Sequence, residues 1–277
     1  PAEVEMNYAG FQSLTIELMD GVAHVIIDNP PINLFDLVLY PEMAKLTAQL
    51  RDDGDVRAVV VSSANPEFFI AHFDVSRILQ LPTGQPAPTE LNHFHVMCET
   101  FRTMPKVSIC AIDGRVGGGG SEVTLSMDMR FASPRAVFNQ PEVALGIIPG
   151  GSGTVRLSRL VGRSRALEVV LGSDDIDAIT AEKWGWVNRV VDNPVEHSLA
   201  MARRIASFPP QAVQAAKRSI LRADDHIVED LLAEASEFNA LLSDPLAVKA
   251  MNNFMARGGQ TREGELRLGE LATEIND

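Results

Sequence analysis

Cysteine is scarce in this chain. The two present, Cys98 and Cys110, sit in apolar surroundings at no metal-ligand spacing. That argues against a disulfide framework or a structural metal and reads as two buried, reduced thiols. No apolar stretch reaches the roughly 20 residues needed to span a bilayer. The opening residues Pro1–Met6 have neither a basic n-region nor an apolar h-region, so a soluble, cytoplasmic protein is expected. Positive charge is also short. Lys and Arg total 24 against 37 Asp and Glu, for a net charge of −13, which leaves no basic field to hold nucleic acid. A phosphate-bearing small molecule stays open, because it needs only local lysines or backbone donors. Internal repeats and low-complexity segments are absent.

What is present is an ordinary globular composition, 45% hydrophobic and 22% charged over 277 residues, enough for one large core or a core with an appendage. Leu14–Leu18 alternates apolar and polar residues, and Val22–Ile27 is a β-branched run after a turn at Asp20-Gly21. Pro41–Leu50 carries a helical apolar face that Asp52-Asp53-Gly54 ends. The apolar run Val56–Ser62 predicts a strand buried on both faces of a parallel sheet. A surface loop over Pro82–Pro88, a helix over Leu91–Thr103 and a strand over Val107–Ile112 continue an α/β pattern with right-handed crossovers. After Gly172 the pattern turns helical: Val195–Ala206, Pro210–Leu221, Ile227–Leu242 and Pro245–Met255, with proline opening the second. A boundary near Phe208-Pro209 divides an α/β core, 1–207, from a helical region, 208–277.

The segment richest in chemistry is Gly117-Gly118-Gly119-Gly120-Ser121-Glu122, followed later by Asn139-Gln140-Pro141-Glu142. Bare backbone in a glycine run permits close approach. The apolar helix that follows begins with N–H groups that have no partner within it and lie at the positive end of its dipole. Such a place stabilises an anion, including one that exists only in a transition state. No Gly-Lys-Ser/Thr follows, so this is not a phosphate loop, and the Gly-x-Gly-x-x-Gly dinucleotide spacing is missing. Alone, the run reads equally as close strand–helix packing. His93 and His95 lie two apart on a helix and so do not share a face, which argues against a metal role, and no metal is expected.

Ala111–Glu122, together with Phe138-Asn-Gln-Pro-Glu-Val-Ala-Leu-Gly-Ile-Ile-Pro-Gly-Gly-Ser-Gly-Thr-Val-Arg-Leu157, resembles the enoyl-CoA hydratase/isomerase (crotonase) family. The likeness extends from about Leu14 to about Met255 and includes Gly185-Trp-Val-Asn-Arg-Val-Val. It implies an α/β fold, a spiral of ββα units with C-terminal helices that pack on neighbouring subunits in a homotrimer or dimer of trimers. It also implies a cytoplasmic hydro-lyase of fatty-acid metabolism that adds water reversibly to a 2-enoyl-CoA. CoA would be part of the substrate, with no further cofactor.

Carried over by position, Glu122 and Glu142 match the two catalytic carboxylates of the hydratase members, and Gly119 and Phe73 match the two oxyanion-hole donors. Ala71, His72, Asp74, Gly118 and Lys217 match positions that contact CoA, although Asp74 also reads as the cap of a short helix. Asp128 and Arg130 match a structural segment. His72 departs from the family, standing where glycine is usual; it reads either as an extra polar group facing the acyl pocket or as a structural replacement that tolerates positive φ. Burial and like charge should keep one proton on the carboxylate pair, with Glu142 expected to hold it. The alternatives are another crotonase-fold reaction (double-bond isomerisation, decarboxylation or β-diketone hydrolysis), a non-catalytic acyl-CoA-binding protein, or a Rossmann-type oxidoreductase.

Overall fold

Asp20 and Gly21 take left-handed φ values of 53° and 76° and turn the chain between β1 (Leu14–Met19) and β2 (Val22–Ile27), which pair antiparallel from Leu14↔Ile27 to Met19↔Val22. The tight register puts Ala23, Val25 and Ile27 in the core. In this computed structural model the described residues are 8–224 and 226–276; Pro1–Met6, read above for a targeting signal, lies outside them.

Helix α1 (Leu39–Asp52) carries the chain to β3 (Ala58–Ser63), which is parallel to β2. Then come β4 (Phe68–Ile70), the short helix α2 (Val75–Ile78), helix α3 (His93–Thr103), β5 (Val107–Ile112) and β6 (Arg115–Gly117). Helix α4 (Gly118–Ser126) precedes β7 (Met129–Ala132) and β8 (Val137–Asn139), and a 3-10 turn follows over Glu142–Leu145. Helices α5 (Gly153–Val161) and α6 (Arg163–Gly172), strand β9 (Ile176–Asp177), helix α7 (Ala178–Trp184) and strand β10 (Arg189–Val190) complete the α/β part. The rest is helical: α8 (Pro194–Ala206), α9 (Pro210–Leu221), α10 (Ile227–Leu241), α11 (Pro245–Ala256), α12 (Arg262–Leu266) and α13 (Leu268–Glu274).

The strands sort into two sheets, β1-β2-β3-β5-β7-β10 and β4-β6-β8-β9. Each successive pair, β3/β4, β5/β6 and β7/β8, sends its first strand to the large sheet and its second to the small one. This is the expected spiral of ββα units. The main core lies between the sheets and the helices, built on residues such as Val25, Val59, Ile70, Ile112 and Phe138, all at most 2% exposed.

The repeat also positions the site. Strands β4, β6 and β8 are mutually parallel, with Gly117 opposite Asn139, so their carboxyl ends share one edge of the small sheet. The segments leaving that edge are Ala71–Asp74, Gly118–Glu122 and Gln140–Glu142. The C-terminal helices fold back over the same edge: Leu242, Ala247, Met251, Phe254 and Leu271 cluster with Leu145, Ile147 and Val75. Contacts therefore run from the helical region into the core of the same chain. Among the described residues no helix is long and apolar enough to cross a membrane.

Candidate active site

The amino end of α4 faces the Ala71–Asp74 segment at close range. Gly118 has φ +46°, and a Cβ placed there would stand 2.8 Å from the Cβ of His72. One residue on, a Cβ at Gly119 would stand 3.2 Å from the Phe73 Cβ and 3.5 Å from the Phe73 nitrogen. Glycine is required because the space above it belongs to the opposing peptide. The backbone around Phe73 explains why its N–H points into that space. Phe35 uses its N–H on the His72 carbonyl at 2.9 Å and its carbonyl on the Asp74 N–H at 3.0 Å. The Phe73 N–H between them is given no acceptor by the backbone ladder. Gly119, in the first turn of α4, likewise has an N–H without an intrahelical acceptor. Phe73 and Gly119 line one cavity, so two backbone N–H groups without a backbone acceptor stand at its wall.

The cavity, of about 390 Å³, is lined by Phe73, Gly119, Glu122, Glu142, Phe94 and Tyr40 among others. Tyr40, Phe73 and Phe94 form a mutual aromatic cluster with ring centroids 5.4–6.1 Å apart. Phe238 and Leu242, from α10 and its carboxyl end, close another wall.

Glu122 and Glu142 are both buried, 4% and 7% exposed. Glu122 Oε1 accepts the N–H groups of Gly151 at 2.8 Å and Gly153 at 2.7 Å. Glu142 accepts the Gln140 amide at 3.2–3.3 Å. Burial pushes both carboxyls up, because a low-dielectric site disfavours the charged form. Glu122 is held well above the usual range by burial, then by the charges of Glu142 and Glu234, against the two N–H bonds it accepts. Glu142 rises only to about 7, burial being offset by backbone and Gln140 hydrogen bonds and by the nearby charge of His72. The pair therefore favours a single shared proton, as expected. The charges of Glu142 and Glu234 raise Glu122 further, whereas Glu142 is raised by Glu234 but lowered by His72.

His72 does not take positive φ, so its tolerance of that region is not what fits it here. It is buried, with Nδ1 2.8 Å from the Phe73 carbonyl oxygen and Nε2 2.9 Å from Glu265 Oε1. Ala71 lies beside it with its N–H on the Ile32 carbonyl at 3.2 Å. Asp74 caps α2, accepting the Ser76 N–H at 2.9 Å and hydroxyl at 2.7 Å, so its carboxylate is engaged in the fold.

Lys217 is not brought to this cavity. Its Nζ donates to Asp128 at 2.8 Å and to the Lys106 carbonyl at 2.8 Å, which ties α9 to the core. It lines a larger cavity of about 560 Å³ with Arg102, Arg156 and Arg159, each paired to an acidic residue. That cavity lacks unpaired cationic lining and any of the carboxylate pair. Arg130, buried on the Trp186, Thr124 and Met127 carbonyls, is structural as read.

Sequence reasoning missed Glu234, Glu265, Gln260, Phe94 and Tyr40. None lies in a motif, and only the fold brings them to the site. Gly151 and Gly153 were visible as part of the second signature block, but their service to Glu122 was not.

The family model for enoyl-CoA hydratase/isomerase matches residues 17–260. A short-chain-enoyl-CoA hydratase of Clostridium acetobutylicum is 33% identical over 253 residues, 88% of this chain and 95% of that protein. Among solved structures, a candidate enoyl-CoA hydratase from Streptomyces avermitilis is similar with a TM-score of 0.87 and 39% identity, covering 96% of this chain and 99% of that one. An enoyl-CoA hydratase from Bacillus anthracis superposes with a TM-score of 0.70 at 26% identity, over 89% and 97% of the two chains. With the motif, the spiral fold and these likenesses in agreement, this chain belongs to the enoyl-CoA hydratase/isomerase family.

Proposed function

We propose that the protein is an enoyl-CoA hydratase, adding water reversibly to a 2-enoyl-CoA to give a 3-hydroxyacyl-CoA. The observation that carries this reading is two buried carboxylates, Glu122 and Glu142, facing one cavity that Phe73 and Gly119 also line. The donors of Phe73 and Gly119 would hold the thioester oxygen and the enolate-like charge that develops on it. The backbone at Ala71, His72 and Gly118 would border the CoA arm. Neither Asp74 nor Lys217 is needed there, since both are engaged in holding the fold.

In the forward direction water oxygen attacks Cβ as ionised Glu122 takes the water's proton, and protonated Glu142 gives its proton to Cα. The substrate gains OH and H, and one proton has moved from Glu142 to Glu122. Hydration leaves the proton on Glu122, the state needed for dehydration, so a water-mediated transfer back to Glu142 would reset the enzyme. This chemistry needs no cofactor beyond the CoA of the substrate.

A homotrimer or dimer of trimers is supported by α9, which buries no residue within the single chain and leaves Ile220 73% exposed. A cytoplasmic location is supported by two free, buried cysteines. The test is the loss of enone absorbance when purified protein is offered crotonyl-CoA and longer 2-enoyl-CoAs. Turnover that disappears in Glu122→Gln and Glu142→Gln is expected. CoA-thioester binding with no turnover at any chain length would overturn the reading.

A further inference from the structure

Both polar groups bonded to the His72 ring, which the Phe254 ring also flanks, are acceptors. Nδ1 lies 2.8 Å from the Phe73 carbonyl oxygen and Nε2 2.9 Å from Glu265 Oε1. Neutral imidazole has one N–H, so meeting two acceptors requires a proton on both nitrogens. Glu265 is placed to sustain that charge. It is 1% exposed, and its Oε1 also accepts the Gln260 N–H at 2.7 Å. Gln260 continues the clamp: its side-chain oxygen accepts the Val75 N–H at 2.6 Å and its amide donates to Asp74 at 3.1 Å. The turn before α12 thus grips the segment on both sides of the oxyanion donor Phe73.

The charge matters because of what stands next to it. A Cβ at Gly118 would lie 2.8 Å from the His72 Cβ and 3.1 Å from Glu142 Oε1, so the root of the His72 side chain and the Glu142 carboxylate border the same glycine. The charged groups around them are Glu265 on α12 with Arg115 on β6 behind it, Glu122 on α4 and Glu234 on α10. Of these groups His72 is the one whose charge lowers the proton affinity of Glu142, while His95 Nε2 lies 3.6 Å from Glu234 Oε1.

Building on the hydratase reading, we propose that Glu265 is a positioning residue: it keeps His72 doubly protonated against Glu142, so that Glu142 rests as the ionised member of the carboxylate pair. The direction of the proton affinities agrees. Burial alone would lower that of His72, but the charge and hydrogen bond of Glu265 and the Phe73 carbonyl bring it to about 9. A histidine in place of the usual glycine is then a charge inserted behind the catalytic pair, with its counter-ion drawn from the far end of the chain.

The experiment follows ring ¹⁵N signals in histidine-labelled protein and the side-chain ¹³C signal of Glu142, assigned with His72→Gln and Glu142→Gln. In the wild type both His72 nitrogens stay protonated across neutral pH. In Glu265→Gln they lose that signature, the Glu142 midpoint rises by about one pH unit, and the acid limb of kcat/KM moves with it. The kcat for dehydration of a 3-hydroxyacyl-CoA, which starts from ionised Glu142, is expected to fall about tenfold with KM within about threefold, while Glu265→Asp retains the wild-type profile. Should Glu265→Gln fail to fold, His72→Gln must raise the Glu142 midpoint in the same way. A neutral His72 in the wild type, or a Glu142 midpoint and acid limb unmoved by these variants, would overturn the proposal. A wild type that hydrates no enoyl-CoA would sink the hydratase reading alone, since the resonance titrations still decide the role of Glu265.

Discussion

Glu122 and Glu234 divide the amino end of α5 between them. Alternate N–H groups, those of Gly151 and Gly153, go to Glu122, while Ser152 at 2.6 Å and Thr154 at 2.9 Å donate to Glu234. In the proposed mechanism one carboxylate belongs to the reaction and the other to the scaffold, yet the same loop orients both. Removing Glu234 strips acceptors from buried N–H groups, a cost of about 3 kcal/mol. Glu234→Ala should lose about that much stability in urea unfolding. Glu234→Gln keeps an acceptor oxygen but removes a negative charge that raises the Glu122 carboxyl, so it should hold more stability and lower the proton affinity of Glu122.

A methyl group at Gly119 enters the space that faces the Phe73 nitrogen, 3.5 Å away. Gly119→Ala should cut kcat by about a hundredfold, the usual effect of losing an oxyanion donor, with circular dichroism unchanged. A rate within a few-fold of wild type would place the thioester oxygen elsewhere.

Glu122→Gln and Glu142→Gln should each lower kcat by about 10²–10⁴-fold. The kcat/KM profile of the wild type should be bell-shaped, because activity requires one proton on the pair. Each single variant should lose one limb, leaving a profile that titrates in one step. Both limbs surviving in either variant would remove that residue from the acid–base pair.

Lys217→Met leaves Asp128, 16% exposed at its side chain, without its cation. The expected loss is roughly 3 kcal/mol of stability, read by denaturant midpoint, with KM for a CoA ester within about twofold. A large KM increase in a variant of normal stability would restore a CoA contact to this lysine.

Stability should fall as pH rises from about 4.5 to about 9. Folding raises Glu142 from 4.5 to about 7 and His72 from 6.5 to about 9. A group whose pKa is raised on folding binds its proton more tightly in the folded state, so its contribution is fully present below the unfolded pKa and disappears above the folded one. The His72 share should vanish between about 6.5 and 9, and His72→Gln should flatten that part of a thermal-melt series against pH.

Much of this molecule was legible in the chain. The β-branched runs at Val22–Ile27 and Val107–Ile112, and the proline-opened α9, formed where expected, because strand and helix periods are local properties. The expected helix ends moved by a residue or two, as at α3, where Asn92 caps from outside the helix by accepting the His95 N–H. Gly117–Glu122 and Asn139–Glu142 were legible too, because a glycine run and spaced carboxylates are written contiguously. The short strands β4, β9 and β10 carry too few residues for a period to register, and α12 and α13 are short helices without a strong apolar stripe.

What the sequence by itself determined was the order of the longer strands and helices and the two motifs, Gly117–Glu122 and Asn139–Glu142, whose resemblance to a known family implied the spiral. Tertiary structure alone decided the charges in the site. Glu234 and Glu265 reach it from α10 and α12, more than a hundred residues from Glu122 in the chain, and Lys217 is turned away by Asp128. The reason is physical. Hydrogen-bonding patterns within a strand or helix act between near neighbours in sequence, whereas burial and Coulomb interaction depend only on distance in space, which no residue order displays.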